Sequence, residues 1–105
     1  MKFTFSPYIA IQIKNYEKAL GFYENILGME ISETKPDETY FKKDGINFCM
    51  ENSDAGFVFF EFKVDSVKEA SELLENEGCR VTQVYSEKSI MIADPYGMKF
   101  HIWED

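Results

Sequence analysis

An internal repeat is the feature that most constrains how this chain folds. Shifting the sequence by 51 residues places Tyr8 on Phe59, and a shift of 52 places residues 45–49 on residues 97–101. Both of these short segments have the pattern Gly-x-x-Phe. Self-similarity at a fixed period indicates that one supersecondary unit occurs twice. We therefore expect a duplicated module.

The two expected modules, residues 1–55 and 56–105, show the same order of elements. Apolar and polar residues alternate in the segments that we predict as strands, and apolar residues recur at helical spacing in the segments between them. The predicted elements are a helix capped by Asn15, a helix capped by Ser66 with Glu69, and strands at residues 8–13, 29–34, 39–43, 46–51, 57–64, 81–84, 89–93 and 98–103. This order predicts an α+β fold in which two paired βαβββ modules enclose a cleft, because each helix covers only one face of its strands.

Length and composition limit the classes of partner. The 105 residues, 45% of them hydrophobic, suffice for one core, so we expect a single domain, residues 1–105. Acidic residues outnumber basic ones by 19 to 11, and the net charge of −8 argues against nucleic acid or an anionic membrane as a partner. No apolar run approaches the length of a membrane span and no secretion leader is evident, so we expect a cytoplasmic protein.

The chain's only histidine, His101, follows a predicted turn with the sequence Asp-Pro-Tyr-Gly at residues 94–97. Alternation along the last strand places His101 on the same face as Lys99 and Trp103. An isolated histidine is more often structural than functional. A histidine between a cation and an indole nevertheless suits a binding surface, so both interpretations stay open.

Two stretches carry a resemblance to a known family. The segments IQIKNYEKALGFYENILGM and ADPYGMKFHIWE, together with the duplicated βαβββ unit, resemble the vicinal oxygen chelate superfamily. That superfamily includes glyoxalase I, extradiol dioxygenases, and the fosfomycin and bleomycin resistance proteins. The resemblance covers nearly the whole chain and implies the fold, whereas the function varies widely among proteins that share it.

The resemblance also implies where a metal would bind. Enzymes of the superfamily hold a divalent ion with side chains from the first and last strands of each module, and the matching positions here are Tyr8, Cys49, Phe59 and His101. Only His101 is a good ligand for the usual metals, because Phe59 has no lone pair and Cys49 prefers soft metals. We therefore predict no metal and no other cofactor. The alternative is that a register slip brings in other carboxylates, namely Glu51, Glu61 and Glu104.

The first functional interpretation is a metal-free protein that binds a small molecule, similar to the bleomycin resistance group. Aromatic rings on the open face can stack on a planar ligand, and the negative charge of the chain favours a cationic one. The same face would also suit a subunit interface. The residues that we expect to line the ligand site are Tyr8, Gln12, Cys49, Glu51, Phe59, Glu61, His101 and Trp103.

The second interpretation is an enzyme, either a divergent lyase or a dioxygenase, in which His101 acts in acid–base or metal chemistry. Histidine titrates near neutrality, and Tyr8 or Glu61 could orient its ring. Under either interpretation we expect a homodimer, because each module leaves strand edges and an aromatic face uncovered. The sequence leaves open whether modules pair within one chain or between two.

Overall fold

A computed structural model describes residues 1–105, which form eight strands and two helices. It confirms the predicted α+β fold and the βαβββ order of each half. The elements are β1 (Thr4–Ile13), α1 (Tyr16–Asn25), β2 (Glu30–Thr34), β3 (Glu38–Lys43), β4 (Ile46–Asn52), β5 (Val58–Lys63), α2 (Val67–Asn76), β6 (Arg80–Ser86), β7 (Ser89–Ala93) and β8 (Lys99–Trp103).

The chain divides into two compact units. The first unit comprises Pro7–Val58, and the second unit comprises Met1–Ser6 together with Phe59–Asp105. The first six residues, which include the start of β1, therefore group with the later half of the chain, and the repeat in the sequence did not indicate this.

The first unit is a four-stranded sheet covered on one face by α1. Its strand order is β2-β3-β4-β1, with β1 parallel to β4 and the other neighbours antiparallel. The side chains that α1 and the sheet bury between them are Ile13, Tyr16, Met29, Phe41 and Met50. Within this core the hydroxyl groups of Tyr16 and Thr39 lie 2.7 Å apart, so that each buried polar atom has a partner.

The second unit repeats this arrangement. Its strand order is β5-β8-β7-β6, with β5 parallel to β8 and the remaining pairs antiparallel. The buried residues of its core are Val64, Val67, Ala70, Ile90, Ile92, Phe100 and Ile102. Phe3 and Phe62 pack against this cluster, and their rings meet edge to face.

The two helices begin differently. Ser66 caps α2 as predicted, because the Glu69 N–H donates to its hydroxyl at 3.1 Å. The Glu104 carboxylate accepts a second free N–H at this helix end, that of Val67, at 2.9 Å. Asn15 precedes α1 in the left-handed conformation, with φ 53°, and makes no side-chain cap. The predicted capping role of Asn15 is therefore wrong, because a capping residue has an extended backbone and Asn15 is left-handed.

Two tight turns join neighbouring antiparallel strands, and the second is the turn predicted at residues 94–97. Asp44 and Gly45 both have positive φ, which gives the hairpin between β3 and β4 the twist that its strands require. At the second turn one oxygen of the Asp94 carboxylate accepts the N–H groups of Tyr96 and Met98, each at 2.9 Å. This turn sets the register of β7 against β8, in which Met91 lies opposite His101.

Candidate functional site

In the first unit, four of the predicted site residues lie on β1 and β4. Their alternation places Tyr8, Gln12, Cys49 and Glu51 on the sheet face away from α1, and none of them belongs to the core beneath that helix. The Gln12 amide donates to the Glu51 carboxylate at 3.5 Å and accepts the Phe57 N–H at 3.4 Å. Gln12 and Cys49 are buried, whereas Tyr8 and Glu51 are half-buried.

Glu38 ties the polar side chains of this face together. One oxygen of its carboxylate accepts the Tyr40 hydroxyl at 3.1 Å, and the other accepts the Cys49 thiol at 3.4 Å. Burial raises the pKa of the Tyr40 phenol above its usual value, and the neighbouring Cys49 and Glu38 raise it further. Tyr40 is therefore a neutral hydrogen-bond donor, and its ring contacts that of Tyr8 at 5.0 Å between centroids.

In the second unit, His101 is held by both of its ring nitrogens. Nδ1 lies 3.2 Å from Glu61 Oε1, and Nε2 lies 2.6 Å from the Ser89 hydroxyl. The other Glu61 oxygen accepts the hydroxyl of Ser6 at 3.4 Å. The side chains of His101 and Glu61 are only 16% and 14% exposed. These contacts form a continuous chain of hydrogen bonds from Ser89 through His101 and Glu61 to Ser6, which we call the serine–histidine relay.

Aromatic rings surround the relay. The rings of Phe59 and Tyr85 both present themselves edge-on to His101, with centroids 6.3 and 5.8 Å away. Phe59 is only 4% exposed, so it supports the imidazole and has little surface left for a ligand. Tyr85 is half exposed and lies where the β6–β7 register shifts, which is an irregularity that alternation does not predict.

Trp103 lies near the end of the same face and already has a cation over its ring. Lys63 Nζ is 5.4 Å from the ring centroid, a distance at which a cation is attracted to the electron-rich face. The same ammonium forms an ion pair with the Asp105 carboxylate. In the first unit Lys35 lies over Tyr40 in the same way, at 5.1 Å.

Sequence reasoning missed four members of these networks. Glu38 was missed because β3 begins one residue earlier than predicted, directly opposite Glu51. Ser89 could have been predicted. The turn at Asp94 fixes which residues of β7 lie opposite which residues of β8, and this register places Ser89 on the same sheet face as His101. No signal along the sequence connects Ser6 to Glu61, and none identifies Tyr40 as the partner of Glu38.

The fold and this face can be compared with known proteins. Residues 6–52 match the family model described as Glyoxalase/Bleomycin resistance protein/Dioxygenase superfamily. A superfamily member from Vibrio splendidus 12B01 has a similar structure, with a TM-score of 0.65 and 17% identity over 97% of this chain and 100% of that chain. The chain has the fold of this superfamily, and its residues 6–52 resemble the family in sequence. No curated protein sequence matches it.

Extradiol dioxygenases are further structural neighbours of this chain. Homoprotocatechuate 2,3-dioxygenase from Brevibacterium fuscum, in complex with 3,4-dihydroxyphenylacetate, has a TM-score of 0.65 and 16% identity over 99% of this chain. The enzyme from Arthrobacter globiformis has a TM-score of 0.61 and 20% identity over 99% of this chain. The chain spans 37% of each of these two dioxygenase chains, and the likeness extends to the fold alone.

The metal site that the superfamily implies does not fit the residues of this chain. Phe59 has no donor atom, and both nitrogens of His101 are engaged by Glu61 and Ser89. The Cys49 thiol donates to Glu38. A different group of potential ligands lies in the first unit, where donor atoms of Glu38, Cys49 and Glu51 are within 4.8 Å of one another. Glu104, which a register slip could have supplied, caps α2 instead.

Two depressions lie away from both networks. One is an apolar groove of about 260 Å³ in the second unit, lined by Phe3, Phe62, Leu74, Met98 and Phe100. The other is a wide polar depression beside the start of α1, lined by Asn15, Tyr16, Glu17, Lys18, Pro36 and Asn52.

Neither helix has the length and apolar character needed to cross a membrane.

Proposed function

We propose that this chain is a metal-free small-molecule-binding protein whose ligand is a planar aromatic cation or a neutral aromatic compound. The observation that carries the proposal is the position of Lys63 Nζ over the Trp103 ring. A half-buried indole that holds a cation of its own chain offers the same face to a cation from solution. The adjacent Asp105 carboxylate and the net charge of −8 add attraction for a cation.

The proposal predicts competition between the ligand and Lys63. Replacing Lys63 with methionine removes the cation from the indole and removes the ion pair of the Asp105 side chain, so an aromatic cation should bind more tightly. Lys68→Met is a matched control, because it removes the same charge from an exposed position on α2. The gain in Lys63→Met over Lys68→Met should be several-fold, since cation–π contacts are worth about 0.5–2 kcal/mol.

The experiment is a titration that follows the fluorescence of Trp103, the chain's only tryptophan, with N-methylquinolinium as the cation and 2-naphthoate as the anion. We expect the cation to bind at least about tenfold more tightly, which corresponds to about 1.4 kcal/mol. Calorimetry on Trp103→Leu should show that affinity for the cation is lost. Tighter binding of the anion, or an affinity that the loss of the indole does not change, would reject the proposal.

A separate experiment tests whether the protein binds a metal ion. The protein is purified without chelators and analysed for first-row metals, and we expect far less than one ion per chain. Zinc is the most important metal to measure, because the donor atoms of Glu38, Cys49 and Glu51 lie close together and zinc accepts both thiolate and carboxylate ligands. Stoichiometric zinc that disappears in Cys49→Ala would contradict the metal-free proposal.

The second candidate function is a divergent lyase or dioxygenase, and the contact between His101 and Glu61 favours it. A carboxylate at 3.2 Å from Nδ1 fixes the imidazole orientation that acid–base catalysis requires. The dioxygenase neighbours suggest 3,4-dihydroxyphenylacetate as a first compound to test. Oxygen uptake in the presence of ferrous iron, lost in His101→Gln, would favour this candidate over simple binding.

We also propose that the protein is a cytoplasmic homodimer. The support for association is the group of exposed aromatic side chains in the second unit, where Phe5 and Phe60 contact each other and are 53% and 38% exposed. Aromatic residues are enriched in subunit interfaces.

A further inference from the structure

The serine–histidine relay has the order and the spacing of a nucleophile with its base. Ser89 Oγ is 2.6 Å from His101 Nε2, and Nδ1 on the opposite side of the ring is 3.2 Å from Glu61 Oε1. A hydroxyl, an imidazole and a carboxylate in this sequence of contacts is the arrangement that activates serine for covalent catalysis. We propose that Ser89 is a nucleophile and that the second unit transfers acyl groups from small aryl esters.

Glu61 determines which nitrogen of the imidazole acts as the base. As a carboxylate it accepts the Nδ1–H of His101, so the lone pair of Nε2 faces the Ser89 hydroxyl. The Ser6 hydroxyl donates to the second oxygen of Glu61 and thereby holds the carboxylate in place. Glu61 is therefore a positioning residue, while Ser89 and His101 are the catalytic residues.

The reaction that this geometry supports is balanced without any further reactant except water. Ser89 Oγ forms a bond to the ester carbonyl carbon while its proton passes to His101 Nε2. The imidazolium returns that proton to the departing aryloxide as the ester bond breaks, leaving an acyl-serine. Water then attacks the acyl carbon, His101 accepts and returns a proton, and the products are a phenol, a carboxylic acid and the free serine.

The surroundings of Ser89 select an aryl ester without negative charge. Trp103 lies directly across from Ser89 in the β7–β8 pair, and the half-exposed Tyr85 ring flanks His101. Such rings favour a flat aromatic leaving group. Glu61 and the net charge of −8 disfavour esters that carry a carboxylate of their own.

The test is covalent labelling with an alkyl fluorophosphonate, which reacts with activated serine hydroxyls. Intact-protein mass spectrometry should show one adduct per chain, and peptide mapping should place it on Ser89. Labelling should disappear in Ser89→Ala and fall at least about 100-fold in His101→Gln, the scale of general-base contributions. Ser32→Ala is the control, because Ser32 is an exposed serine whose hydroxyl contacts only a backbone carbonyl. No adduct on the folded wild-type chain, or an adduct retained in Ser89→Ala, would overturn the proposal.

Two further variants separate catalysis from a purely structural role. Glu61→Asp should retain part of the labelling and Glu61→Gln should lose most of it, with ¹⁵N NMR of His101 reporting a changed tautomer in Glu61→Gln.

If Ser89→Ala fails to fold, Ser89→Cys serves instead, because His101 should accelerate alkylation of that thiol by iodoacetamide relative to Ser89→Cys/His101→Gln. Equal alkylation rates in these two variants would reject the proposal. Hydrolysis of 4-nitrophenyl acetate by the wild type should follow the same ranking of variants.

Discussion

At the scale of single residues, Tyr40 shows how neighbours alter the chemistry of one side chain. Its pKa is raised by burial, and next by Cys49 and Glu38, so the phenol ionises at higher pH in the folded chain than in the unfolded chain. A group whose pKa is raised by folding contributes stability below its unfolded pKa of about 10 and loses it as the pH rises further.

We therefore predict that, at alkaline pH, the free energy of unfolding of Tyr40→Phe decreases less steeply with rising pH than that of the wild type. Between pH 9 and 11 the free energy of unfolding of the wild type should decrease more steeply than that of the variant, by at most about 1.4 kcal/mol per pH unit above 10. Urea unfolding at several pH values measures this difference. The exposed Tyr96, with 89% of its surface in solvent, supplies the control Tyr96→Phe, which should follow the wild-type curve. Identical slopes for Tyr40→Phe and the wild type would contradict the prediction.

Individual residues also show where sequence reasoning stops. The face of His101 could be predicted, because period-two alternation follows from strand geometry alone. The choice of Glu61 over Tyr8 as the residue that orients His101 could not, since Glu61 and His101 lie on neighbouring parallel strands that are distant in sequence. The partner of a polar side chain depends on strand order and register, which the local pattern does not contain.

At the scale of elements, the two helix starts predict opposite responses to mutation. Ser66→Ala removes the acceptor for the Glu69 N–H and should lower the free energy of unfolding by about 1 kcal/mol. Asn15→Gly removes no cap and places glycine where φ is 53°, so the stability should change by less than about 0.5 kcal/mol or increase. Chemical denaturation measures both variants. A larger loss in Asn15→Gly than in Ser66→Ala would show that the Asn15 side chain has a stabilising contact after all.

The turn between β7 and β8 is a second element with a measurable contribution. Asp94→Ala deprives the N–H groups of Tyr96 and Met98 of their acceptor, and we expect a loss of about 1–2 kcal/mol in the free energy of unfolding. Asp94→Asn keeps a carbonyl acceptor and should recover part of this loss. Asp54→Ala, at an exposed position, should have almost no effect in the same denaturation experiment. An equal loss from Asp54→Ala would attribute the effect to charge instead of the turn.

The presence of helix α1 was easier to predict from the sequence than the face that it buries against the sheet. In the sequence Ala19, Phe22, Tyr23 and Ile26 recur at helical spacing, but Phe22 and Ile26 are 49% and 71% exposed. The helix ends at Asn25 and buries Tyr16, beside which Ala19, Leu20 and Tyr23 pack. Apolar residues surround most of this short helix, so its pattern permits two stripes, and packing on the sheet selects one of them.

At the scale of the whole molecule, the homodimer makes a prediction about mass. Sedimentation velocity should give twice the 12.3 kDa chain mass at micromolar concentrations. Phe60→Glu, which places a charge in the exposed aromatic group of the second unit, should shift the equilibrium towards monomer. Glu87→Lys, an exposed change in the turn between β6 and β7, is the control and should remain dimeric. A monomeric wild type at high micromolar concentration would refute association.

The grouping of the chain's first six residues with its later half also affects how the protein is made. Phe3 and Phe5 contact Phe60 and Phe62, so they emerge from the ribosome more than fifty residues before their partners. At about 5–20 residues per second, the delay is roughly 3–12 s. During that interval these two phenylalanines of the nascent chain have no native surface to cover them, even if the first unit has already folded. Chaperones that recognise short aromatic segments would find their earliest opportunity there, and slowing translation between codons 7 and 58 should lengthen it.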